Sequence, residues 1–535
     1  MGQIHQFVGT RVVCVLVTAT LLVTVAGLAS SQTLTADAPW FGVPMPPALE
    51  PHAPPVILGT RGVVPAVVPL GDGEHPELTG ASIRADLETI VRFSRTSRDR
   101  REIGAGQLWG RITGFRSGAE TVAWAVREFR GAGIVDTRLQ RFEQDADASF
   151  WLPLSWNVSL IADPAFGSGS ADVALTTAMP LAPSQLPVGG VTAPLVHVGG
   201  SSAAELAQIV VDGAVAVQHV TPRAHTVFER DPTVPRARAL FERGALAVIN
   251  VVEHPGNVRA RDFSNCGGPC FNLGGRDGLF LETVMDRASE AGVLDRMRVQ
   301  LTLDVDSRSG LSGQNGVAII PGTEQPEEMI IVNAHADAWF DGAGDNGDGL
   351  AVLVALAKHF AEPQDRPRRT FVFVVSAGHH SPGLHGPRNF VTMNPELAQR
   401  AVLVLNIEHV AQRNLSLARS LAEDGYREFV ADATEAPIVA GVSNGAPFLE
   451  GLFATGVSRY GVNFVSGPST MASGEGGGYR SLDVAIVTTM QAPPLYHTSG
   501  EVLEVISTPG LERMARFLTF FLTEIDRSTR EALNP

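Results

Sequence analysis

The sequence predicts an α/β fold whose mainly parallel, mixed sheet is sandwiched by helices, and three observations carry that prediction. Short, almost wholly apolar runs recur between positions 329 and 490, as strands covered on both faces require. A stretch of helical period separates the first two runs. Each run is followed directly by a polar segment rich in histidine, acid or glycine, the place where an open parallel sheet binds its ligands. At 535 residues the chain exceeds the length at which one hydrophobic core stops growing, about 250–300 residues, so two folded units are expected.

The apolar runs are 329–333, 371–375, 401–406 and the strand-like 483–490. Between the first two lies the helix 349–360, in which Leu350, Leu353, Val354, Ala357 and Phe360 repeat at helical spacing and line one face. Upstream, helical periodicity begins near Ile83. A second helix, 118–133, ends on Gly131-Ala132-Gly133 before the strand 135–142. The segment 180–312 differs in character, with short β-rich runs at 193–198, 214–217 and 244–252 separated by turns, and the alternating pattern resumes only after Asn315. It reads as a β-rich domain inserted into a larger one. His197 and His219 lie in apolar strand contexts there and read as structural.

The expected organisation is therefore a signal peptide over 1–30, a Pro-rich arm or linker over 31–80, the first part of the main domain over 81–179, the insertion over 180–312 and the second part over 313–535. Arg11, the apolar stretch 12–28 and the small residues Ala29, Ser30 and Ser31 form the order of a secretory signal cleaved near 29–31, with an uncleaved membrane anchor as the alternative. Cleavage leaves a secreted or periplasmic chain with no stable membrane span. Pro44, Pro46, Pro47, Pro51, Pro54 and Pro55 make the following arm extended and poorly packed. Of three cysteines, Cys14 lies within the signal, which leaves Cys266 and Cys270. An oxidising compartment and the tight loop between them favour a disulfide over free thiols or half of a metal site. With 44% hydrophobic and 18% charged residues the chain is globular, and a net charge of −15 without any Lys/Arg run excludes a nucleic-acid partner.

The polar segments after the strands hold a consistent set of chemical types. The first run leads to His335-Ala336-Asp337 and then to Asp345 within a glycine-rich stretch; the second leads to His379-His380; the third to Glu408 and His409; the last to Tyr496-His497-Thr498. Neutral imidazole and carboxylate oxygen suit zinc, and a carboxylate can offer one oxygen to each of two ions, the role that fits Asp345. Asp337 is placed to accept a hydrogen bond from the second ring nitrogen of His335. Asp348 reads as the cap of the following helix. Any one of these residues alone is an ordinary polar loop residue. Six of the fourteen histidines nevertheless fall between 335 and 409, and three successive strand ends carry ligand types, which favours a metal site. His359, His385 and His409 read as structural or supporting.

On these residues the chain resembles the zinc aminopeptidases of the M28 type with an inserted protease-associated (PA) domain. The resemblance rests on Val332-Asn333-Ala334-His335-Ala336-Asp337, Gly342-Ala343-Gly344-Asp345-Asn346, Phe371-Val372-Phe373-Val374-Val375 with a ligand pair, Asn406-Ile407-Glu408 and Tyr496-His497-Thr498. It extends over about residues 81–525, with the opening segment at 111–118 and 180–312 as the PA-like insertion. It implies a zinc-exopeptidase-like fold and two zinc ions, one on His335, Asp345 and Glu408 and the other on Asp345, His380 and His497. Asp337 takes a supporting catalytic role, and Tyr496 falls on the substrate side; Glu475 lies in 473–479, which resembles the substrate-side loop, where it contacts substrate or orients a ligand, with a flexible glycine-rich surface loop as the alternative.

The departures are specific. The family carries two glutamates where this chain has His379 and His380, the first serving as general base, and Glu408 replaces the usual aspartate. His380 exchanges an oxygen ligand for a nitrogen, which zinc accepts. His379 is the candidate base, since imidazole can carry out acid–base work near neutral pH. The implied activity is hydrolysis of a small peptide or amide substrate by activated water. The alternatives are a non-peptide amide or ester substrate, and a catalytically inactive binding protein. Oligomeric state has no signal in the sequence.

Overall fold

The computed structural model describes residues 38–58, 62–220, 233–261, 266–419, 427–466, 474–491 and 494–535. The signal segment 1–30, with Cys14, lies outside them. Among the described residues no helix is long and apolar enough to cross a membrane.

The main sheet has eight strands in the order Phe464–Ser466, Ile438–Val442, Ala485–Gln491, Ala401–Glu408, Gln325–His335, Arg369–Ser376, Ser312–Ile320 and Asp136–Glu143. Its four middle strands, from Ala485–Gln491 to Arg369–Ser376, are mutually parallel, and antiparallel pairings flank them. Arg369–Ser376 and Ala401–Glu408 are buried at every residue, which is why they read as continuous apolar runs rather than as alternation. The helices Gly80–Asp99, Arg116–Gly131, Gly349–Ala361 and Thr508–Arg527 pack over one face. Phe390 of the helix Gly386–Met393 and Tyr479 cover the other.

The helix Gly349–Ala361 differs from its sequence reading. It is buried nearly all round, with only Lys358 and Ala361 partly exposed, because the helices on either side close over the face the periodicity left unassigned. Each fully buried Leu or Val in it contributes about 1.5–3 kcal/mol relative to exposure. This helix begins one turn beyond Asp345, so its packing fixes where that loop ends.

A second eight-stranded sheet runs Val173–Ala174, Phe150–Ile161, Arg298–Arg308, Val191–Gly199, Val215–Val220, Ala247–Val252, Cys270–Leu273 and Met179–Pro180. It takes in Phe150–Ile161, upstream of position 180, through a long antiparallel pairing with Arg298–Arg308. The two units share side chains: Trp339 and Phe340, from the loop after Gln325–His335, are buried in the core of the second sheet. Cys266 and Cys270 are joined by a disulfide at the buried flank of this unit. His197 and His219 lean on Glu282, and His219 also on Glu253.

The Pro-rich arm is packed, contrary to the expectation of a loose linker. Trp40 and Phe41 are buried, with Trp40 stacked on Phe166 and edge-on to Phe280. Ile57–Leu58 adds a parallel strand to Arg427–Glu435. Proline excludes helix, but extended backbone bearing aromatic anchors can still lie along a surface and bury its side chains.

Candidate metal centre

The four parallel strands all end at one edge, and their last residues meet there. His335 closes its strand, His379 and His380 follow Arg369–Ser376, Glu408 and His409 follow one another at the end of Ala401–Glu408, and His497 follows Ala485–Gln491. Asp345 stands between them. Its Oδ1 lies 3.3 Å from His335 Nε2 and 2.9 Å from His409 Nε2. Its Oδ2 lies 3.1 Å from His380 Nε2 and 2.9 Å from His497 Nε2. Each carboxylate oxygen thus faces two imidazoles.

The loop carrying Asp345 is held by a buried cation. Arg111 donates to the carbonyls of Ala336 (2.7 Å), Asp341 (2.8 Å), Gly342 (2.8 Å) and Asp345 (3.4 Å), and to Ser94 Oγ (3.1 Å). Burial lowers its pKa to about 10, still far above neutrality, so the charge persists. The Asp341 carboxylate accepts from Arg95 and from Trp109 Nε1 and pairs with His52 of the arm. Asp348, expected as a helix cap, makes no such bond; its Oδ2 accepts the amides of Val410 (3.0 Å) and Ala411 (2.7 Å). It therefore fastens the loop after Glu408 to the start of the helix.

The histidine rings are oriented by carbonyls. His335 Nδ1 lies 3.1 Å from the carbonyl oxygen of Asp337, and His409 Nδ1 lies 3.0 Å from that of Gln491. A carbonyl only accepts, so Nδ1 carries the proton in each ring and the lone pair of the neutral form sits on Nε2, toward Asp345. The Asp337 carboxylate does not take the role expected for it. Its Oδ1 is 3.8 Å from His335 Nδ1, and it instead accepts the amides of His379 (3.2 Å) and His380 (2.9 Å), thereby shaping the turn that presents both rings.

The donor set fits zinc. His335 Nε2, His380 Nε2 and Asp345 Oδ2 are buried and make no hydrogen bond, an arrangement that costs free energy unless something else occupies the gap. Burial holds the pKa of His335 well below, and that of His380 below, the ordinary imidazole value, so both are neutral, the state that ligates. Burial opposes charge on Asp345, but His380 and His409 hold its pKa well below the carboxylate range. Zinc–nitrogen bonds of about 2.0–2.1 Å set ligand atoms about 3.3 Å apart around a tetrahedron, close to the four separations about Asp345. His335, Glu408 and His409 form a second converging trio.

His409, read from the sequence as structural or supporting, reaches Asp345 directly, and the reason is its backbone. Neighbouring residues of a strand point to opposite faces, so Glu408 and His409 cannot both face the site from regular backbone. His409 has φ 47°, as His497 has φ 55°, and the left-handed turn brings both side chains round. Glu408 is held by Asn406 Nδ2 (2.9 Å) and the amide of Glu475 (2.7 Å). Gly474 permits that approach, since a Cβ there overlaps the Glu408 carboxylate.

Glu475, expected to contact substrate or to orient a ligand, turns inward. Its Oε1 is 3.0 Å from His379 Nδ1 and its Oε2 accepts from Ser376 Oγ at 3.2 Å. His379 stacks on His335 with ring centroids 4.3 Å apart. Burial opposes its charge, yet Glu475, with Glu408 and Asp345 beyond, raises its pKa to about 10. Tyr496 stacks on His497 at 3.7 Å. Gln412 donates to Glu501, whose pKa burial and Asp345 raise to about 8. His385 lies at the surface beside Asp145.

Residues 315–522, which hold every one of these ligand candidates, match the family model described as Peptidase family M28. This segment belongs to peptidase family M28. Among curated proteins the chain resembles a probable glutamate carboxypeptidase of Arabidopsis thaliana, 36% identical over 99 residues, 18% of this chain and 14% of that protein. It also resembles aminopeptidase NAALADL1 of Rattus norvegicus, 24% identical over 212 residues, 36% of this chain and 28% of the relative. The chain thus spans well under a third of these relatives' lengths. The Peptidase M28 precursor from Shewanella amazonensis superposes with TM-score 0.59 at 16% identity, covering 84% of this chain and 98% of that one. BSAP, a zinc aminopeptidase from Bacillus subtilis, gives TM-score 0.54 at 15% identity, covering 86% and 99%. At these identities the likeness is one of fold, the mixed α/β architecture of M28 structures.

Proposed function

We propose that the protein is an exported, zinc-dependent hydrolase that cleaves peptide or amide bonds in an aminopeptidase-like manner. The observation that carries the reading is Asp345, each of whose oxygens is turned toward two imidazoles. In this reading two ions would share Asp345: His335 and Glu408, with His409 on the same side, would hold one, and His380 and His497 the other. Zinc bound there supplies a Lewis acid that polarises a carbonyl and acidifies water.

The remaining steps belong to side chains. His379 Nδ1 is engaged by Glu475, which leaves Nε2 to take a proton from the attacking water and return it to the leaving amine. Glu475 holds the ring in one orientation and stabilises the imidazolium, as a carboxylate does beside a catalytic histidine. Asp337 fixes the His379-His380 turn through the two amides it accepts. Tyr496, stacked on His497, borders the site where a small peptide or amide substrate enters. The curated aminopeptidase relative and the zinc aminopeptidase of matching fold support this class of reaction.

A non-peptide amide or ester substrate is the second reading, favoured by the nitrogen-rich surroundings of Asp345 that His409 completes. The test is chelation of the full-length protein, reloading with Zn²⁺, and assay on aminoacyl anilides beside N-acyl amino acids and simple esters. Anilide cleavage lost on chelation and restored by zinc is the expected result. Zinc bound without anilide cleavage, but with cleavage of an ester or N-acyl substrate, selects the second reading. No bound zinc overturns both.

A further inference from the structure

The helix that starts beside Asp345 ends, about 20 Å away, beside another group of ligand atoms. His359 lies in its last turn, and the 3₁₀ turn Pro76–Leu78 brings His75 and Glu77 against it. Glu77 Oε1 is 2.9 Å from His359 Nδ1 and 3.4 Å from His75 Nδ1. Asp365 Oδ2 is 3.9 Å from the same His359 nitrogen. The two imidazole rings meet edge to face at 4.6 Å. His75, His359 and Asp365 border a cleft, through which an ion has access; Arg459 and Arg516 in its lining are paired with Asp72 and Glu512.

Three features mark this group as more than a surface hydrogen-bond cluster. One nitrogen from each of two imidazoles converges on a single carboxylate oxygen, and the separations bracket the edge of about 3.3 Å expected around a tetrahedral zinc. Two neutral imidazoles with one or two carboxylates leave a net negative ligand set that a dication balances. The group also sits at the C-terminal end of Gly349–Ala361, where unpaired carbonyls and the helix dipole favour positive charge. His359 is almost wholly buried, at 5% side-chain exposure, which holds one ligand firmly in place.

We propose that His75, Glu77 and His359, with Asp365 in reach, form a separate structural site for zinc that ties the arm to the far end of this helix. The ligands come from the segment before the first long helix and from the helix after Asp345, so a bound ion cross-links two stretches more than 280 positions apart. Nothing in this site takes part in the reaction proposed above, and its existence does not depend on that reaction.

The test is zinc content per chain of the full-length protein after chelation, reloading with Zn²⁺ and removal of excess, measured by mass spectrometry. The comparison is between wild type, His75→Ala, the nearly isosteric Glu77→Gln, Asp345→Asn and the double variant Asp345→Asn/His75→Ala. His75→Ala and Glu77→Gln are expected to hold one zinc fewer than wild type at unchanged turnover. Asp345→Asn is expected to keep one zinc, which the double variant loses. Zinc should raise the melting temperature of Asp345→Asn and leave that of the double variant unmoved. Equal zinc in wild type and in both His75→Ala and Glu77→Gln overturns the proposal, whatever the Asp345 centre holds.

Discussion

Asp345 and His379 stand in one site but are held in different ways. Asp345 is 1% exposed on a loop whose carbonyls are gripped by Arg111, whose neighbour Asp341 is fixed from two directions, and whose following helix is buried nearly all round. His379 is 22% exposed, and its ring nitrogen has a single carboxylate partner, Glu475, which rises from a separate segment. The difference separates two tasks. Holding ions demands several ligands at fixed separations, so the frame is built redundantly. Moving a proton demands one group at one place, with access to substrate.

The strongest way to break this comparison is at its fixed end. In Asp345→Asn one oxygen becomes an amide nitrogen that cannot ligate, and the negative charge between four imidazoles is lost. The zinc held about Asp345 is expected to be lost and the hydrolytic rate to fall to background, measured as zinc content beside initial rates. Full metal content and rate in this variant exclude Asp345 as the shared ligand.

At the exposed end the two effects should come apart. His379→Ala is expected to lower the rate by about 10²- to 10⁴-fold, the usual worth of a general acid–base group, with zinc content unchanged. Glu475→Gln, which keeps a hydrogen-bond acceptor beside His379 but removes the charge, should cost less, about 10- to 100-fold, as for a carboxylate that orients a histidine from behind. A His379→Ala protein that loses zinc makes His379 a ligand, and the comparison with Asp345 then collapses.

The same contrast governs how much was legible in the sequence. Strands buried on both faces must be apolar throughout, so the four parallel strands and the helix after Asp345 stand out as runs, and ligand types at their ends follow from the open-sheet rule. The positions of His335, His380 and His497 were legible for that reason, and their pairing with Asp345 from the resemblance to the M28 family. What stayed hidden depends on single dihedrals or on distant partners. His409 joins the site only through its positive φ, which no spacing rule encodes. Asp348 looks like a cap by position, yet its partners Val410 and Ala411 lie about sixty residues on. The prolines of the arm signal extended backbone but not that Trp40 finds Phe166, and Glu475 looks like part of a loose glycine loop until the fold brings it to His379.

The smallest effect tests the frame itself at Asp348. Its carboxylate is fully buried and burial raises its pKa to about 7, so the ionised form gains little from its surroundings. Oδ2 alone accepts the two amides, while Oδ1 has no hydrogen-bond partner. Asparagine can place its one oxygen where Oδ2 stands and its nitrogen in the vacant direction, keeping both bonds without a buried charge. Asp348→Asn is therefore expected to change unfolding free energy by less than about 1 kcal/mol, whereas Asp348→Ala, which strands two buried N–H groups at about 1–3 kcal/mol each, should cost about 2–5 kcal/mol. Denaturant unfolding of the two variants with zinc removed measures the difference. If Asn costs as much as Ala, charge rather than acceptor geometry fastens the loop after Glu408, and the frame around Asp345 is electrostatic where its hydrogen bonds show it to be steric.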